Sequence, residues 1–212
     1  MKKRWIALII FFTATLIIAI SYFNWDIPLL YYCKGLDVSI LNIAQNITVL
    51  GESTWYFVLF VPAYIFFRFV WKNKLWSMKF LFLLISISAS GLISILIKWL
   101  VGRFRPSMLE KGFFGFNYFG VGYELNSFPS GHTITAFSLA TAISILFPRA
   151  GIVAFIIAIS IGMSRIIITS HYLSDVIGGV GIGILCTLAV KYFFDRYKTP
   201  LCGIKESKLN LP

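Results

Sequence analysis

The sequence predicts an all-α protein, a polytopic membrane bundle of about six transmembrane helices with both termini cytoplasmic. Three observations predict it. The 212 residues are 58% hydrophobic and 13% charged, with mean hydropathy +0.85, whereas a soluble domain carries about a quarter charged residues. Uncharged runs long enough to cross a bilayer recur along the chain. Lys and Arg gather at alternate ends of those runs, as they do on the cytoplasmic side of a membrane. The length admits one integral membrane domain, 1–212, and no separate soluble domain.

The elements follow in order. Met1, Lys2, Lys3 and Arg4 precede an apolar run over 5–23. Ala19-Ile20-Ser21 offers a cleavage site, but the run exceeds the roughly 7–15 residues of a signal core, so a retained anchor is expected. Residues 24–52 read as an outer linker. Leu36, Ile40, Ile43 and Ile47 recur there at helical spacing and predict a short interfacial helix. Asn46-Ile47-Thr48 matches a glycosylation acceptor, a pattern frequent by chance. The second span covers about 54–70, and Lys72, Lys74 and Lys79 follow in a loop. The third covers about 80–101, and an outer loop rich in Gly and Phe occupies 102–129. The fourth covers 133–147 and ends at Pro148-Arg149; the fifth covers 152–168. The sixth covers 173–194, where Gly178, Gly179, Gly181 and Gly183 permit close helix approach. A polar tail starts at Asp195.

The net charge of +11 would point to nucleic acid in a soluble protein. Here the basic residues flank apolar runs as topology signals, so no nucleic-acid partner is expected and the bilayer is the surrounding medium. Cys33, Cys186 and Cys202 fit neither a disulfide framework nor a metal knuckle. Lys2, Lys3, Arg4, Lys72, Lys74, Lys79, Arg149, Arg196 and Lys198 fall on one side of a six-span arrangement. That side is cytoplasmic, so 24–52, 102–129 and the turn 169–172 face outward. Arg103 and Arg105 violate the rule, and an outward basic cluster at a helix end calls for another explanation. Arg103 reads equally as a substrate contact or a headgroup anchor.

Three groups of polar residues share that outer depth. Lys98 precedes Arg105-Pro106; Pro129-Ser130-Gly131-His132 opens the fourth span; Ser164-Arg165, His171 and Asp175 join the fifth to the sixth. If helical, Lys98 and Arg105 lie two turns apart on one face, about 10 Å along the axis, with Pro106 stopping the helix just beyond. Ser130 is placed as an N-cap, leaving the amides of Gly131 and His132 to face an anion. His171 and Asp175, four apart, share a helix face, so the carboxylate can fix the imidazole tautomer. Three cations, a hydroxyl, a helix N-terminus and two histidines suit a transferring phosphoryl group. One histidine attacks phosphorus while the other protonates the leaving oxygen. Glu110 and Glu124 form no acid pair, Lys111 reads as a solvated loop charge, and Phe113, Phe114, Phe116, Tyr118 and Phe119 read as interfacial packing.

The three groups resemble the signature of the type 2 phosphatidic acid phosphatase superfamily. Lys98, six residues, then Arg105-Pro106 is similar to its first motif; Pro129 to His132 to its second; Ser164-Arg165, five residues, His171, three residues, Asp175 to its third. The likeness covers spans three to six. It implies that His171 is a nucleophile forming a phosphohistidine, Asp175 its orienting partner, and His132 the general acid. It implies that Lys98, Arg105, Arg165, Ser130 and the Gly131 amide bind phosphate, and that neither metal nor cofactor takes part. The function implied is hydrolysis of a lipid phosphomonoester or diphosphate in a bacterial inner membrane, with the site facing the periplasm or exterior. Undecaprenyl diphosphate, phosphatidylglycerol phosphate, phosphatidic acid and the phosphate of lipid A all fit. Phosphotransfer to another acceptor, and a non-enzymatic lipid or anion transporter, stand as alternatives. No internal repeat of the transporter kind is present, and a metal hydrolase lacks a second acidic cluster. The oligomeric state is open at this level.

Overall fold

Apolar segments cross a bilayer as helices because a helix satisfies its own backbone hydrogen bonds where no water is present to do so. The computed structural model describes residues 2–197 and Leu201. Lys198, Cys202 and the side chains of Lys2, Lys3 and Arg4 lie outside the described residues. In chain order the elements are α1 (Lys2–Asn24), α2 (Asp26–Lys34), α3 (Val38–Val49), α4 (Ser53–Ile65), α5 (Lys74–Val101), α6 (Gly131–Leu146), α7 (Pro148–Ile167) and α8 (Leu173–Arg196). A π-helical turn, Phe66–Val70, prolongs α4. The all-α class is as expected, and one isolated bridge, Arg103 to Phe116, ties the 102–129 loop to itself.

Four stretches are long and apolar enough to cross a membrane: Val38–Val70, Lys74–Val101, Pro148–Ile167 and Leu173–Arg196. Phe12–Asn24 and Asp26–Lys34, bent by 55°, make a fifth if taken as one span. The remaining apolar helix, α6, rises only about 24 Å over its 16 residues, less than the roughly 30 Å of a hydrocarbon core. It tolerates this because protein surrounds it. Helix α6 packs on α5, α7 and α8, and every residue from Thr133 to Ala142 is buried.

Residues 24–52 are helical rather than linking. The spacing of Ile40, Ile43 and Ile47 marks α3, whose N-cap Asp37 accepts from the Ser39 amide at 2.7 Å. Helix α2 carries Pro28 in its first turn, where a missing amide costs nothing. Lys74 and Lys79 belong to α5, not to a loop, because the Asn73 side chain caps the Trp76 amide at 3.2 Å and starts the helix there.

Apolar packing joins the long helices. Phe82 and Ile87 of α5, Leu139 and Leu146 of α6, and Val190 and Phe194 of α8 form one cluster. Phe137 and Ala140 of α6 meet Ala158 and Ile161 of α7 in another. At the α6–α8 crossing Ser138 and Thr187 share a hydrogen bond of 2.9 Å. A Cβ on Gly183 would stand 2.7 Å from the Ile134 carbonyl oxygen, so the backbones approach as closely as glycine alone allows. Gly181, expected in the same role, faces open space. Large side chains such as Leu92, Ile95, Ile152 and Ile156 point outward, as a lipid-facing surface requires.

Candidate active site

The end of the bundle where α5 and α7 finish and α6 and α8 begin carries the polar residues. His171 sits in the turn between α7 and α8, where the amides of Ser170 and His171 both donate to the Arg165 carbonyl, at 3.1 and 3.2 Å. The expectation of a shared helix face for His171 and Asp175 is thereby corrected. Asp175 lies in the first turn of α8, and its Oδ2 accepts from the Tyr172 amide at 2.9 Å. The result is nonetheless a facing pair, with His171 Nδ1 3.5 Å from Asp175 Oδ2. Ser127 Oγ donates to the same Oδ2 at 2.6 Å, and the Ser130 amide donates to the Asp175 carbonyl at 3.1 Å, docking the start of α6 on α8. Burial pushes the His171 imidazole down to about 4; Asp175 opposes the fall, and the charges of Arg105 and Lys98 add to it. At neutral pH the ring is uncharged. Its Nδ1 faces a carboxylate, which favours the tautomer that leaves the Nε2 lone pair free.

The cations converge by a different route from the one the spacing suggested. Helix α5 ends at Val101, and Gly102 follows in the left-handed region with φ 55°. A side chain there would collide with the Asn117 carbonyl oxygen, 1.8 Å from a Cβ, so only glycine fits and the helix stops four residues before Pro106. Lys98 and Arg105 therefore share no helix face. They meet on one acceptor instead: the Asn126 carbonyl takes Lys98 Nζ at 2.6 Å and Arg105 at 3.3 Å. Arg105 also donates to the carbonyls of Tyr123, at 2.9 Å, and Ser170, at 3.2 Å, next to His171. Arg165, in the last turn of α7, donates to Thr48 Oγ1 at 2.7 Å. Ser130 occupies the N-cap of α6, but its side chain caps no amide; its hydroxyl accepts from Thr133 Oγ1 at 2.9 Å. A Cβ on Gly131 would meet nothing within 4 Å, so the start of α6 is open to a ligand.

A cavity of about 690 Å³ opens between α4, α5 and α6, lined by Lys98, Gly131, His132, Gly51, Glu52 and Ser94 among others. Gly51 packs against His132, where a Cβ would stand 2.9 Å from the ring. His171, 3% exposed, does not line this cavity. Among the described residues no three His, Cys, Asp or Glu side chains gather as a metal-ligand set.

Several residues of the site carry no sequence signal. Asn126, Ser127, Thr48 and Gly51 are ordinary loop and helix residues that become contacts only in three dimensions. Arg103 fits neither reading offered for it. It is 1% exposed, which rules out a headgroup anchor, and it donates to Asp175 Oδ1 at 2.5 Å and Asp26 Oδ2 at 2.6 Å. Asp26 was unmarked apart from being an acid in an apolar stretch. In the Phe-rich loop, Phe114 and Phe116 stack on Tyr22 of α1.

Comparison with known proteins shows the family and the fold. Residues 79–198, which run from α5 through α8, match the PAP2 superfamily. The chain is similar to a lipid A 1-phosphatase of Rhizobium johnstonii, 30% identical over 178 residues that cover 77% of this chain and 69% of that protein. It is similar to phosphatidylglycerophosphatase B of Bacillus subtilis, 26% identical over 74% of this chain and 76% of that one. Two crystal structures share the fold. One is a transmembrane PAP2 type phosphatidylglycerolphosphate phosphatase from Bacillus subtilis, with a TM-score of 0.65 at 22% identity over 95% of this chain and 98% of that one. The other is Aquifex aeolicus LpxE, with a TM-score of 0.62 at 24% identity over 82% and 98%. With its match spanning more than half of its length and its helices arranged as in those phosphatases, the chain belongs to the PAP2 superfamily and is a hydrolase of its membrane lipid phosphatase group.

Proposed function

We propose that this chain removes phosphate from a lipid phosphomonoester or diphosphate at the outer face of a bacterial inner membrane, through a phosphohistidine on His171. The observation that carries the reading is the buried His171–Asp175 contact beside Arg105, which donates to the carbonyl of the neighbouring Ser170. Lys98, Arg105, Arg165, the Ser130 hydroxyl and the Gly131 amide hold the phosphate oxygens, neutralising charge that spreads over them as the bond to the leaving group breaks. His171 Nε2 forms a bond to phosphorus while the phosphorus–oxygen bond to the lipid breaks, and His132 gives its proton to the departing oxygen. His132 then takes a proton from water, the water oxygen bonds to phosphorus, the phosphorus–nitrogen bond breaks and inorganic phosphate leaves.

The cavity at His132 and Lys98 lies between α4, α5 and α6, at the end of the bundle where α5 finishes and α6 begins, which supports a lipid substrate. Relatives named for lipid A 1-phosphate and phosphatidylglycerol phosphate cover most of the chain, so these two head a substrate panel that also holds undecaprenyl diphosphate and phosphatidic acid. The experiment is phosphate release from each lipid by purified protein and by His171→Ala. The expected result is loss of release for every lipid, together with loss of the radioactive phosphate otherwise trapped on the protein. Full activity in the variant overturns the mechanism.

A further inference from the structure

Arg103 and Asp26 take no part in the reaction above, yet each is 1% exposed. Taking a guanidinium and a carboxylate out of water costs several kcal/mol per ion unless they are well paired, and the pairing here is dense. One terminal nitrogen of Arg103 donates to Asp175 Oδ1 at 2.5 Å and Ser174 Oγ at 2.6 Å; the other donates to Asp26 Oδ2 at 2.6 Å. Asp26 Oδ1 accepts from the Ser174 amide at 2.9 Å, and Ser174 Oγ donates to Asp26 Oδ2 at 2.5 Å. The rings of Tyr172 and Tyr22 lie 4.5 and 5.0 Å from the guanidinium carbon. With both terminal nitrogens engaged and rings against it, Arg103 has no route to a substrate. Asp26 comes from the bend between α1 and α2, outside the 79–198 stretch that matches the superfamily.

We infer that Asp26 and Arg103 are positioning residues for the nucleophile, acting through Asp175; the inference rests on His171 being that nucleophile. Two physical effects support it. The first is geometric. Arg103 holds Asp175 Oδ1, while Ser127 and the Tyr172 amide hold Oδ2. The carboxylate therefore cannot rotate, and Oδ2 stays turned to His171 Nδ1. The second is charge. Arg103 alone would neutralise Asp175 and weaken it as a partner for the ring as phosphorus bonds to Nε2. Asp26 supplies a second carboxylate to the same guanidinium, so the cluster keeps one net negative charge beside His171. Asp26 also places that charge at the N-terminus of α8, where the helix dipole favours it.

The test uses purified full chain carrying Asp26→Asn or Arg103→Lys, with His171→Ala in parallel. Asparagine keeps the shape of Asp26 and an acceptor for the Ser174 amide while removing the charge. Lysine keeps the charge of Arg103 but loses the fork that reaches two carboxylates. The expected result in each is a fall in kcat of about 10- to 100-fold, the range seen when the hydrogen-bond partner that orients a metal-bound imidazole is lost. KM and the inhibition constant for inorganic phosphate stay unchanged, because neither residue touches substrate. Single-turnover trapping, run below the lowered thermal midpoint that loss of a buried ion-pair partner brings, shows slower phosphohistidine formation in the folded variant. Normal kcat in folded Asp26→Asn overturns the inference, as does a raised KM or phosphate constant with kcat intact. Unfolding of both variants assigns the cluster to structure alone and overturns it too. Activity in His171→Ala instead strikes the underlying mechanism, whereas an inactive His171→Ala beside a fully active Asp26→Asn strikes only this inference.

Discussion

His171 illustrates how burial sets chemistry at a single residue. Its side chain is closed off from water, and the resulting fall of its pKa from 6.5 to about 4 keeps the nucleophile neutral through the physiological range. The same fall has a consequence for stability. Between pH 4 and 6.5 the unfolded chain binds a proton at His171 that the folded chain does not, so stability rises with pH across that window and is lost as pH falls through it. The contribution is on the order of 3 kcal/mol over the window. Unfolding in detergent at pH 4.5 and pH 7 measures it, and His171→Gln, which does not titrate, is expected to flatten the slope. An equally steep slope in that variant assigns the effect to other groups. The residue types of the three motifs were legible because each is rare in an apolar chain: both histidines of the protein lie in them. The partners Ser127, Ser174 and Thr48 were not, since hydroxyls are common in membrane helices and loops and acquire a role only by contact.

Among the elements, α5 and the α6–α8 crossing do most to place the site. The spacing of Lys98 and Arg105 suggested one continuous helix to Pro106, but Gly102 ends it, because a close carbonyl admits no side chain there. The early stop turns the chain back so that Arg103 enters the interior and Arg105 meets Lys98 on Asn126. At the crossing, glycine was foreseen as a device for close approach, yet which glycines serve was not, since a helix period alone does not say which face meets a backbone. Gly183→Ala is expected to cost about 1–3 kcal/mol, because the added carbon would strike the Ile134 carbonyl and neither backbone yields easily. Gly181→Ala meets nothing and is expected to gain about 0.5–1 kcal/mol from lower chain entropy in the unfolded state. Thermal midpoints of the pair in one detergent decide it; equal shifts remove the packing argument.

Across the molecule, charge and depth are arranged by the bilayer. Lys74, Lys79, Arg149, Lys191 and Arg196 lie toward the end of the bundle opposite the site, and the positive-inside rule makes that end cytoplasmic in the proposed topology. In a Cys202→Ser background, a membrane-impermeant thiol reagent is expected to label Glu110→Cys in intact cells and Arg149→Cys only after permeabilisation. The reverse pattern overturns an outward-facing site. The remaining cysteines, Cys33 and Cys186, are buried and give no background.

The sequence by itself determined the all-α membrane class, the fifth and sixth spans to within a few residues, and the three motifs of the site, whereas the stretch expected over 54–70 begins at Val38. It determined these because hydropathy and residue type are local properties, written out in order along the chain. Only the tertiary structure decided that α2 precedes the helix expected within 24–52 and that this segment reaches the site, that Asp26 joins Arg103 across 77 positions, and that Lys98 and Arg105 converge through a loop carbonyl. Those outcomes rest on close backbone approach and on pairing of buried charges between distant segments, and no spacing along a chain records where two such segments meet.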